Sequence, residues 1–372
     1  MRQRHGAGSV LLVWLLGHGA LAWAALPLRP DPEAPEEAYS ALSWRNRLQD
    51  ALQPESALPP QARSGETLLA GEHSEAQWGI SGYADLVREW DEPVQTSQSL
   101  ELGTLYWRTP LGERSQLQVG KFTLDIDPSY GSHPAGFFQA AANPFDDFLP
   151  DVGTPMLALT HWWGEAWSGN LLLQKSPDDG SRRAGAVLTY QTAEWLIHGV
   201  VTERSPEGME NAVTLLHPGQ GLWSWHGSLA GSGRGEDKLD LLLGTVREDE
   251  QDKLVLEYSY NRNRYTYRQL WHSEFGEEAP PLPRWSWLDN YHVTLHQSLY
   301  LEYDRQSDQR EWLLAAMVAQ DGSAITQLRH SWLLNAAWRS WLEVQHSSGG
   351  SDSTYGYLPW RWQFQLGWSW SC

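Results

Sequence analysis

Polar and apolar residues alternate with a period of two along most of the chain. In 291–304 the odd positions are mostly apolar and the even positions are polar. In 358–370 one face carries Leu, Trp and Phe, and the other carries mainly Arg, Gln, Gly and Ser. This alternation is typical of β-strands with one apolar face. Strands of soluble sheets are usually about five or six residues long, whereas tilted strands that cross a bilayer need about 9 to 11. The pattern therefore predicts membrane-crossing strands.

The alternation predicts sixteen strands from about residue 77 onward, with fourteen as the alternative count. The predicted ranges are 77–88, 98–108, 114–123, 155–163, 166–175, 182–191, 194–203, 222–230, 237–246, 253–260, 264–271, 291–304, 309–318, 324–334, 338–346 and 358–370. If the first strand runs outward, the outer connections include the long segments 124–154, 203–221 and 272–290. The inner connections are then short and include 164–165, 192–193, 261–263 and 335–337. An even strand number with short inner turns and long outer loops predicts an all-β fold, a transmembrane antiparallel up-and-down β-barrel.

The first 76 residues differ from the rest of the chain. Residues 1–24 have a basic start, the apolar run VLLVWLL and a final Ala-Trp-Ala, which is the layout of a secretory signal peptide. Residues 25–76 are rich in Pro and acidic side chains, and 36–52 has a helical spacing of apolar residues. We therefore expect a periplasmic extension with one short helix before a barrel at 77–372. A free tail, a segment that binds a periplasmic partner and a plug in the lumen are the three roles we consider for it.

The composition excludes several classes of protein. The formal net charge of -19 counts against binding to nucleic acid, because proteins contact phosphates through Lys and Arg. A single Cys excludes an intramolecular disulfide and a Cys-rich zinc module. The sequence has no G-x-S-x-G, H-E-x-x-H or P-loop pattern. We therefore expect a protein with no cofactor, no resident metal and no enzymatic activity.

Tryptophan is unusually abundant, with 23 residues in the chain. Many of them occur near predicted strand ends or in W-x-W pairs, which place two indoles on one face of a strand. Because indole has an apolar body and one N–H donor, it favours the headgroup level of a bilayer and forms girdles around outer-membrane barrels. The alternative is a set of platforms on which sugars stack. The predicted girdle residues are Trp162, Trp163, Trp223, Trp225, Trp271, Trp360, Trp362, Trp368 and Trp370.

The connection 124–154 is the best candidate for a constriction inside the barrel. It is 31 residues long and rich in acidic and aromatic side chains. Its acids admit three interpretations, namely solvated loop charges, a cation-selective constriction or a calcium site, although no D-x-[DN]-x-[DN]-G pattern is present. The candidate residues are Asp125, Asp127, His133, Phe137, Phe138, Asp146, Asp147 and Asp151.

Strand parity also predicts which polar residues face the lumen. Their mixed charges suit the passage of neutral or zwitterionic solutes. The alternative is that these residues form only the wet face of a sheet. The candidates are Arg264, Arg268, His292, Thr294, His296, Glu302, Arg361, Gln363 and Gln365.

Two segments carry a resemblance to known families. Residues 366–372 (LGWSWSC) resemble the C-terminal strand by which bacterial outer-membrane β-barrel proteins are recognised by the barrel-assembly machinery, except that Cys372 takes the place of a terminal Phe or Trp. Residues 119–122 (VGKF) and 143–145 (NPF) are similar to segments of porin-like channels of the carbohydrate-selective and alginate-export type. The resemblance implies a protein of the Gram-negative outer membrane in contact with its lipid. The excess of acids counts against export of a polyanion such as alginate.

These observations predict a porin-like channel for the passive passage of small polar solutes, with saccharides as a candidate class. Three alternatives remain, which are a plugged barrel that transports hydrophobic substrates, an outer-membrane lipase and a soluble saccharide-binding β-protein. The lipase hypothesis rests on 346–349 (HSSG), which resembles the His-x-Ser-Asn-Gly stretch of outer-membrane phospholipases with Gly349 in place of Asn.

Overall fold

The described residues form one closed β-barrel. The structure is a computed structural model that describes residues 39–52, 62–75, 77–89, 95–138, 145, 148, 152–175, 182–205, 208–219, 222–232, 238–261, 297–350, 353, 355–356 and 361–371. Eighteen antiparallel strands are present in these ranges, each paired with its neighbours in sequence, and the first pairs with the last. Among the same residues, no helix is long and apolar enough to cross a membrane.

The strands are 8 to 16 residues long. They are β1 (Tyr39–Leu52), β2 (Ala62–Ser74), β3 (Trp78–Glu89), β4 (Gln95–Pro110), β5 (Ser115–Phe122), β6 (Thr154–Trp162), β7 (Trp167–Lys175), β8 (Arg182–Gln191), β9 (Leu196–Ser205), β10 (Gly208–His217), β11 (Trp223–Ser232), β12 (Lys238–Glu248), β13 (Asp252–Asn261), β14 (Gln297–Gln306), β15 (Arg310–Ala319), β16 (Ala324–Leu333), β17 (Trp338–Ser348) and β18 (Trp362–Ser371).

The two ends of the barrel differ in the length of their connections. At the end where β1 begins, which we call the short-turn end, the connections after even-numbered strands have three to five residues. At the opposite, long-loop end the connections include 123–153 and 262–296. Side-chain acceptors build several short turns. Asn335 Oδ1 accepts hydrogen bonds from the backbone N–H groups of Ala337 and Trp338 at 2.9 and 3.1 Å. This asymmetry is typical of outer-membrane barrels.

Apolar side chains cover the outside of the barrel and polar ones line the inside. In β18, Trp362, Phe364 and Leu366 point outward and are 43%, 39% and 46% exposed. Gln363 and Gln365 alternate with them, point inward and are 3% and 4% exposed. A soluble protein places its apolar residues in the opposite way. The outer surface is therefore suited to lipid.

The structure corrects the prediction for the N-terminal segment. The helix predicted at 36–52 is wrong where the chain is described, because 39–52 is strand β1, and much of the predicted extension 25–76 belongs to β1 and β2. The pattern in β1 has period two, with Leu42 and Leu48 outside and Arg47 and Gln49 inside. The spacings of Tyr39–Leu42 and Leu48–Leu52, three and four residues, also fit a helix, which caused the error. The predicted signal peptide at 1–24 lies outside the described residues.

The predicted strand count is also wrong. Strand β10 lies within 203–221, which was predicted to be a single outer connection. The predicted inner turn at 261–263 is also wrong, because β13 ends at Asn261 at the long-loop end. The predicted strand 264–271 lies outside the described residues. Three strands were therefore missed, namely β1, β2 and β10, while the all-β antiparallel barrel is confirmed.

Candidate constriction site

The described residues of the connection between β5 and β6, residues 123–153, lie inside the barrel. We call this segment the inner loop. Ile126, Asp127, Ala135 and Phe138 in its described part are almost fully buried. Phe122, Leu124, Ile126 and Phe138 pack with inward residues of the wall in one apolar cluster. Because apolar side chains at this position are buried against the wall, the inner loop occupies the lumen of the barrel.

Asp127 fixes the first part of the inner loop. Its Oδ1 accepts hydrogen bonds from the hydroxyl groups of Ser228 on β11 at 2.7 Å and Ser129 at 2.5 Å. Its Oδ2 accepts a bond from the backbone N–H of Ala135 at 2.7 Å. The carbonyl of Ile126 accepts a further bond from Thr214 Oγ1 on β10 at 3.1 Å. The Asp127 carboxylate therefore holds the loop in shape and ties it to the wall.

Glu257 on β13 holds the next turn of the inner loop. Its Oε1 accepts a hydrogen bond from the backbone N–H of Tyr130 at 2.7 Å, and its Oε2 accepts one from Gly131 at 2.7 Å. His226 Nε2 on β11 lies 2.6 Å from the same Oε1. The Glu257 and His226 side chains are 2% and 1% exposed. Hydrogen bonds to a buried charged acceptor are stronger than those between neutral groups. Glu257 is therefore a principal anchor of the loop.

The surroundings of this anchor leave little room. A Cβ atom on Gly131 would lie 2.9 Å from the Tyr300 side chain and 3.2 Å from Glu257 Oε2, so only glycine fits without a shift. Lys253 Nζ lies 4.4 Å from the centre of the Tyr130 ring, within the range of a cation–π interaction. Burial raises the pKa of the Tyr130 phenol well above its ordinary value, with the Glu302 carboxylate adding to the effect. Tyr130 is therefore neutral at physiological pH.

Phe145 contacts the wall at β14, β16 and β17. Its carbonyl accepts hydrogen bonds from Gln327 Nε2 on β16 at 3.2 Å and Gln345 Nε2 on β17 at 3.0 Å. Its ring lies edge-on to Tyr300 of β14, with 6.2 Å between centroids. Tyr355, from the connection after β17, packs in the same buried cluster. Phe145 therefore adds anchors on β16 and β17 and shares Tyr300 with the turn at Gly131.

Phe148 returns the inner loop to β1. Arg45 Nη1 donates a hydrogen bond to the Phe148 carbonyl at 2.9 Å, and the Arg47 guanidinium lies 4.4 Å from the centre of its ring. Arg47 also pairs with Glu66 of β2, with Nε to Oε2 at 3.0 Å. The anchored positions thus span β1, β10, β11, β13, β16 and β17. The inner loop crosses the barrel and narrows it.

Charges on the inward face are mostly paired. Arg183 pairs with Glu210 at 3.0 Å and lies over the rings of Phe137 and Phe138 at 5.7 and 5.8 Å. The other inward pairs, with their nitrogen to oxygen distances, are Lys253–Glu302 (2.9 Å), Arg329–Glu343 (2.7 Å) and Arg339–Glu311 (3.2 Å).

Additional carboxylates leave an acidic interior. Asp304 on β14 faces inward close to Glu302 and Glu311. Asp85 on β3 also faces inward, and its Oδ1 atom, like that of Asp304, is buried without a hydrogen-bond partner among the described residues. Each base of the inward ion pairs has one acid as its partner. Asp85 and Asp304 are additional to these pairs. Carboxyl groups therefore outnumber bases among these inward residues, which disfavours the passage of anions.

The predicted constriction and lumen residues have the following positions. Asp125, Asp127, His133, Phe137 and Phe138 lie in the inner loop, with Asp127 and Phe138 buried. Glu302, Gln363 and Gln365 are on inward positions of their strands, and Arg361 directly precedes β18. The others lie outside the described residues, namely Asp146, Asp147, Asp151, Arg264, Arg268, His292, Thr294 and His296.

The predicted girdle residues need one correction. Trp162 is an inward residue of β6 with 6% exposure, so it is not part of a girdle. Neighbouring residues of a strand point to opposite faces, and Trp163 in the following turn is the exposed one. Trp223, Trp225, Trp362, Trp368 and Trp370 have outward parity on β11 and β18. Trp271 and Trp360 lie outside the described residues.

The sequence did not indicate the anchors of the inner loop. Glu257, His226 and Gln345 were not among the candidates, although each is a polar residue on the inward face of a predicted strand. A carboxylate in the middle of an otherwise apolar strand was the one signal for Glu257. Its partner Tyr130 is 127 residues away in the chain.

The residues of the lipase hypothesis have other contacts. The His346 ring lies 4.2 Å from that of Trp362 on the outer face, and Ser348 Oγ donates to the carbonyl of Ala324 at 3.2 Å. Within the described ranges, no group of three or more His, Cys, Asp or Glu side chains is placed to hold a metal ion.

Comparison with known proteins shows a shared fold. No protein-family profile matches the sequence, and no curated protein matches it. The solved structure of OccAB3 from Acinetobacter baumannii matches 90% of this chain and 99% of its own, with 9% identity and a TM-score of 0.58. OccK2 (OpdF) from Pseudomonas aeruginosa, solved in complex with glucuronate, matches 91% and 99%, with 11% identity and a TM-score of 0.54. The outer membrane protein OpdK from Pseudomonas aeruginosa matches 90% and 98%, with 11% identity and a TM-score of 0.52. The prediction of an outer-membrane type of barrel is confirmed at the level of the fold.

Proposed function

We propose that this protein is a porin-like channel of the Gram-negative outer membrane, through which small polar solutes diffuse past the inner loop. One observation carries the proposal. A closed barrel with an apolar outside and a polar inside contains a long loop that is anchored across its lumen. A barrel of this size leaves an aqueous interior that an infolded loop can narrow. The shared fold with outer-membrane proteins supports this location.

The charges of the interior support a preference for cationic, zwitterionic or neutral solutes. Each base of the inward ion pairs is matched by one acid, while Asp85 and Asp304 add carboxyl groups that no base of these pairs matches. Carboxylate groups along a pore disfavour anions. OccK2 was solved with glucuronate, an anionic sugar. If saccharides pass through the present barrel, we expect neutral sugars to pass more readily than uronic acids.

Conductance of the purified barrel in planar bilayers tests the proposal. We expect discrete current steps, a reversal potential in a KCl gradient that shows preference for K⁺ over Cl⁻, and partial block by neutral sugars. Current steps with preference for Cl⁻ would contradict the charge argument. A bilayer that stays sealed under all conditions would contradict an open channel.

A sealed barrel is the second candidate, because the inner loop contacts the wall on several sides. In that case the loop must move before a solute can pass. A variant that weakens an anchor then opens a sealed barrel, whereas it only enlarges the current of an open one. Comparing wild-type protein with such a variant distinguishes the two candidates.

The assembly of the barrel is also part of the proposal. The outward Trp362, Phe364, Trp368 and Trp370 of β18 support recognition of the C-terminal strand by the barrel-assembly machinery. Replacing Cys372 by Phe restores the usual terminal aromatic residue. We expect this change to raise the amount of folded barrel in the outer membrane, measured by heat-modifiable migration on gels.

A further inference from the structure

Four outward-facing histidines stand at the short-turn end, and each lies against a Trp ring. The pairs, with the distances between ring centroids, are His73–Trp78 (4.8 Å), His161–Trp163 (5.2 Å), His217–Trp195 (4.4 Å) and His330–Trp312 (3.8 Å). They belong to four separate parts of the wall, around β2, β6, β10 and β16. Their strand partners, such as Ile80 and Trp225, are exposed on the outer face. The pairs therefore form a discontinuous ring at one rim.

The Nδ1 atom of each histidine is held by a neighbouring residue. The partners are Ser40 Oγ for His73 (2.6 Å), Ser115 Oγ for His161 (2.8 Å), the Glu194 carbonyl for His217 (2.6 Å) and the Glu311 carbonyl for His330 (3.2 Å). A carbonyl oxygen only accepts, so Nδ1 of His217 and His330 carries a proton. The neutral ring then presents a lone pair at Nε2. Within the described part of the chain, Nε2 of these two residues has no hydrogen-bond partner.

An acidic residue accompanies each pair. Glu75, Glu165 and Glu194 lie in the turns beside the first three pairs, and Asp308 lies in the turn before Trp312. Glu75 contacts both rings of its pair, because Trp78 Nε1 donates to its Oε2 at 2.9 Å and His73 Nε2 donates to its Oε1 at 3.4 Å. Nε2 of His73 is therefore already occupied. The eight short turns together contain seven acids and one base in sequence. The rim is therefore negatively charged.

The three groups suit one kind of ligand. A ring nitrogen lone pair accepts a hydrogen bond, an indole face attracts a cation, and a carboxylate adds negative charge nearby. A primary ammonium group carries both the positive charge and the N–H donors that this arrangement needs. A phosphate group meets the opposite conditions, since the neutral Nε2 atom has no proton to donate and the acids repel it.

We propose that the His–Trp pairs of His161, His217 and His330 bind the primary ammonium group of phosphatidylethanolamine. The inference rests on the proposed function, which places the short-turn end in the phospholipid leaflet that faces the periplasm. The ammonium donates to His Nε2 and lies against the indole. Arg310 stands beside the fourth pair, opposite Trp332. We therefore expect the pair of His330 to bind more weakly than the other two.

Native mass spectrometry of the purified full-length barrel tests this inference. The probes are phosphatidylethanolamine, phosphatidylcholine and phosphatidylglycerol with the same acyl chains. Phosphatidylcholine has the positive charge without an N–H donor, so it isolates the hydrogen bond. We expect about fivefold tighter binding of phosphatidylethanolamine than of either other lipid, which corresponds to about one net hydrogen bond per site. Equal affinity for phosphatidylethanolamine and phosphatidylcholine would overturn the inference.

A pair of variants assigns the effect to the rim. The double variant His161→Phe with His217→Phe keeps an aromatic ring on each Trp but removes Nε2. We expect it to lose about two thirds of the sites that prefer phosphatidylethanolamine. His346→Phe is the matched control, because His346 also lies on an indole, that of Trp362, but at the long-loop end. An equal loss in the control would assign the preference to aromatic contacts in general and refute the role of the rim.

Two further measurements keep the outcomes separate. Heat-modifiable migration establishes that each variant forms a barrel before lipid binding is compared. The conductance of wild-type protein is measured in parallel. If the wild type conducts but shows no preference among the lipids, the lipid-binding inference is refuted and the proposed channel function is supported. If the wild type prefers phosphatidylethanolamine but does not conduct, the proposed channel function is refuted and the lipid site is supported.

Discussion

Replacement of Glu257 by Gln tests whether the inner loop limits passage. The Glu257 carboxylate forms three buried hydrogen bonds at 2.6 to 2.7 Å. Its partners are the backbone N–H groups of Tyr130 and Gly131 and the Nε2 atom of His226. Gln keeps the size of the side chain but has one acceptor oxygen and an NH2 group. At least one buried donor then loses its partner, at a cost of about 1 to 3 kcal/mol.

The expected change in current follows from this magnitude. A loss of about 2 kcal/mol raises the population of the released loop by roughly 30-fold relative to wild type. We expect single-channel recordings of Glu257→Gln to show frequent steps of higher conductance that are rare in wild-type protein. Heat-modifiable migration is expected to be unchanged, because the hydrogen-bonded ladders of the barrel do not include this side chain.

The matched control is Glu311→Gln. Glu311 is also an inward carboxylate on a strand, but its ion-pair partner is Arg339 of the wall, at 3.2 Å. This variant removes the same charge from the interior without altering the described anchors of the loop. The reasoning is refuted if Glu257→Gln conducts like the wild type, or if Glu311→Gln shows the same increase in large steps.

Three other predictions follow from single residues. Gly131→Val forces its side chain against Tyr300, so we expect the same large steps as for Glu257→Gln and no additive effect when both changes are combined in one chain. Gly367→Ala places a Cβ atom 2.0 Å from Trp341. We expect this variant to lose about 1 to 3 kcal/mol of stability and to unfold at a lower temperature in detergent. Gly199→Ala is the control and is expected to unfold like the wild type, because nothing lies within 4 Å of the added Cβ atom. The backbone N–H groups of Gln251 and Asp252 hold the pKa of Asp249 below its ordinary value. Its stabilising effect is therefore present above about pH 4 and lost as pH falls further, so Asp249→Ala is expected to melt below wild type at pH 6 and together with it at the lowest pH.

The wall of the barrel was largely predictable from the sequence because lipid and water impose opposite demands on alternate residues. β18 shows this clearly, with Trp and Phe on one side and Gln and Ser on the other. β1 and β10 were missed for physical reasons. The inward positions of β1 carry long polar chains such as Arg47, and the spacings of Tyr39–Leu42 and Leu48–Leu52 also fit a helix. β10 is connected to β9 by two residues only, so it was read as part of a loop.

The inner loop was predictable from its length, but its anchors were not. The sequence predicts a role in ion selectivity for Asp127. In the structure, its carboxylate accepts hydrogen bonds from Ser228, Ser129 and the backbone of Ala135 and holds the inner loop in place. Ser228 is 101 residues from Asp127 in the chain. Contacts of this kind depend on the register of many intervening strands, and a single missed strand changes which residues meet. Sequence periodicity fixes the face of a residue but not its partner.

The pairing of β1 with β18 has a consequence for how the barrel is made. Ser43 is the partner of Ser371, so strands from opposite ends of the chain share one hydrogen-bonded ladder. Until they meet, each presents an unpaired edge, and such edges recruit other strands. A chain that lacks either strand does not yield a slightly smaller barrel, because the remaining edges have no partner in the correct register. We therefore expect loss of β1 to cause aggregation or degradation of the whole protein, since the seam is completed only when the entire wall is present.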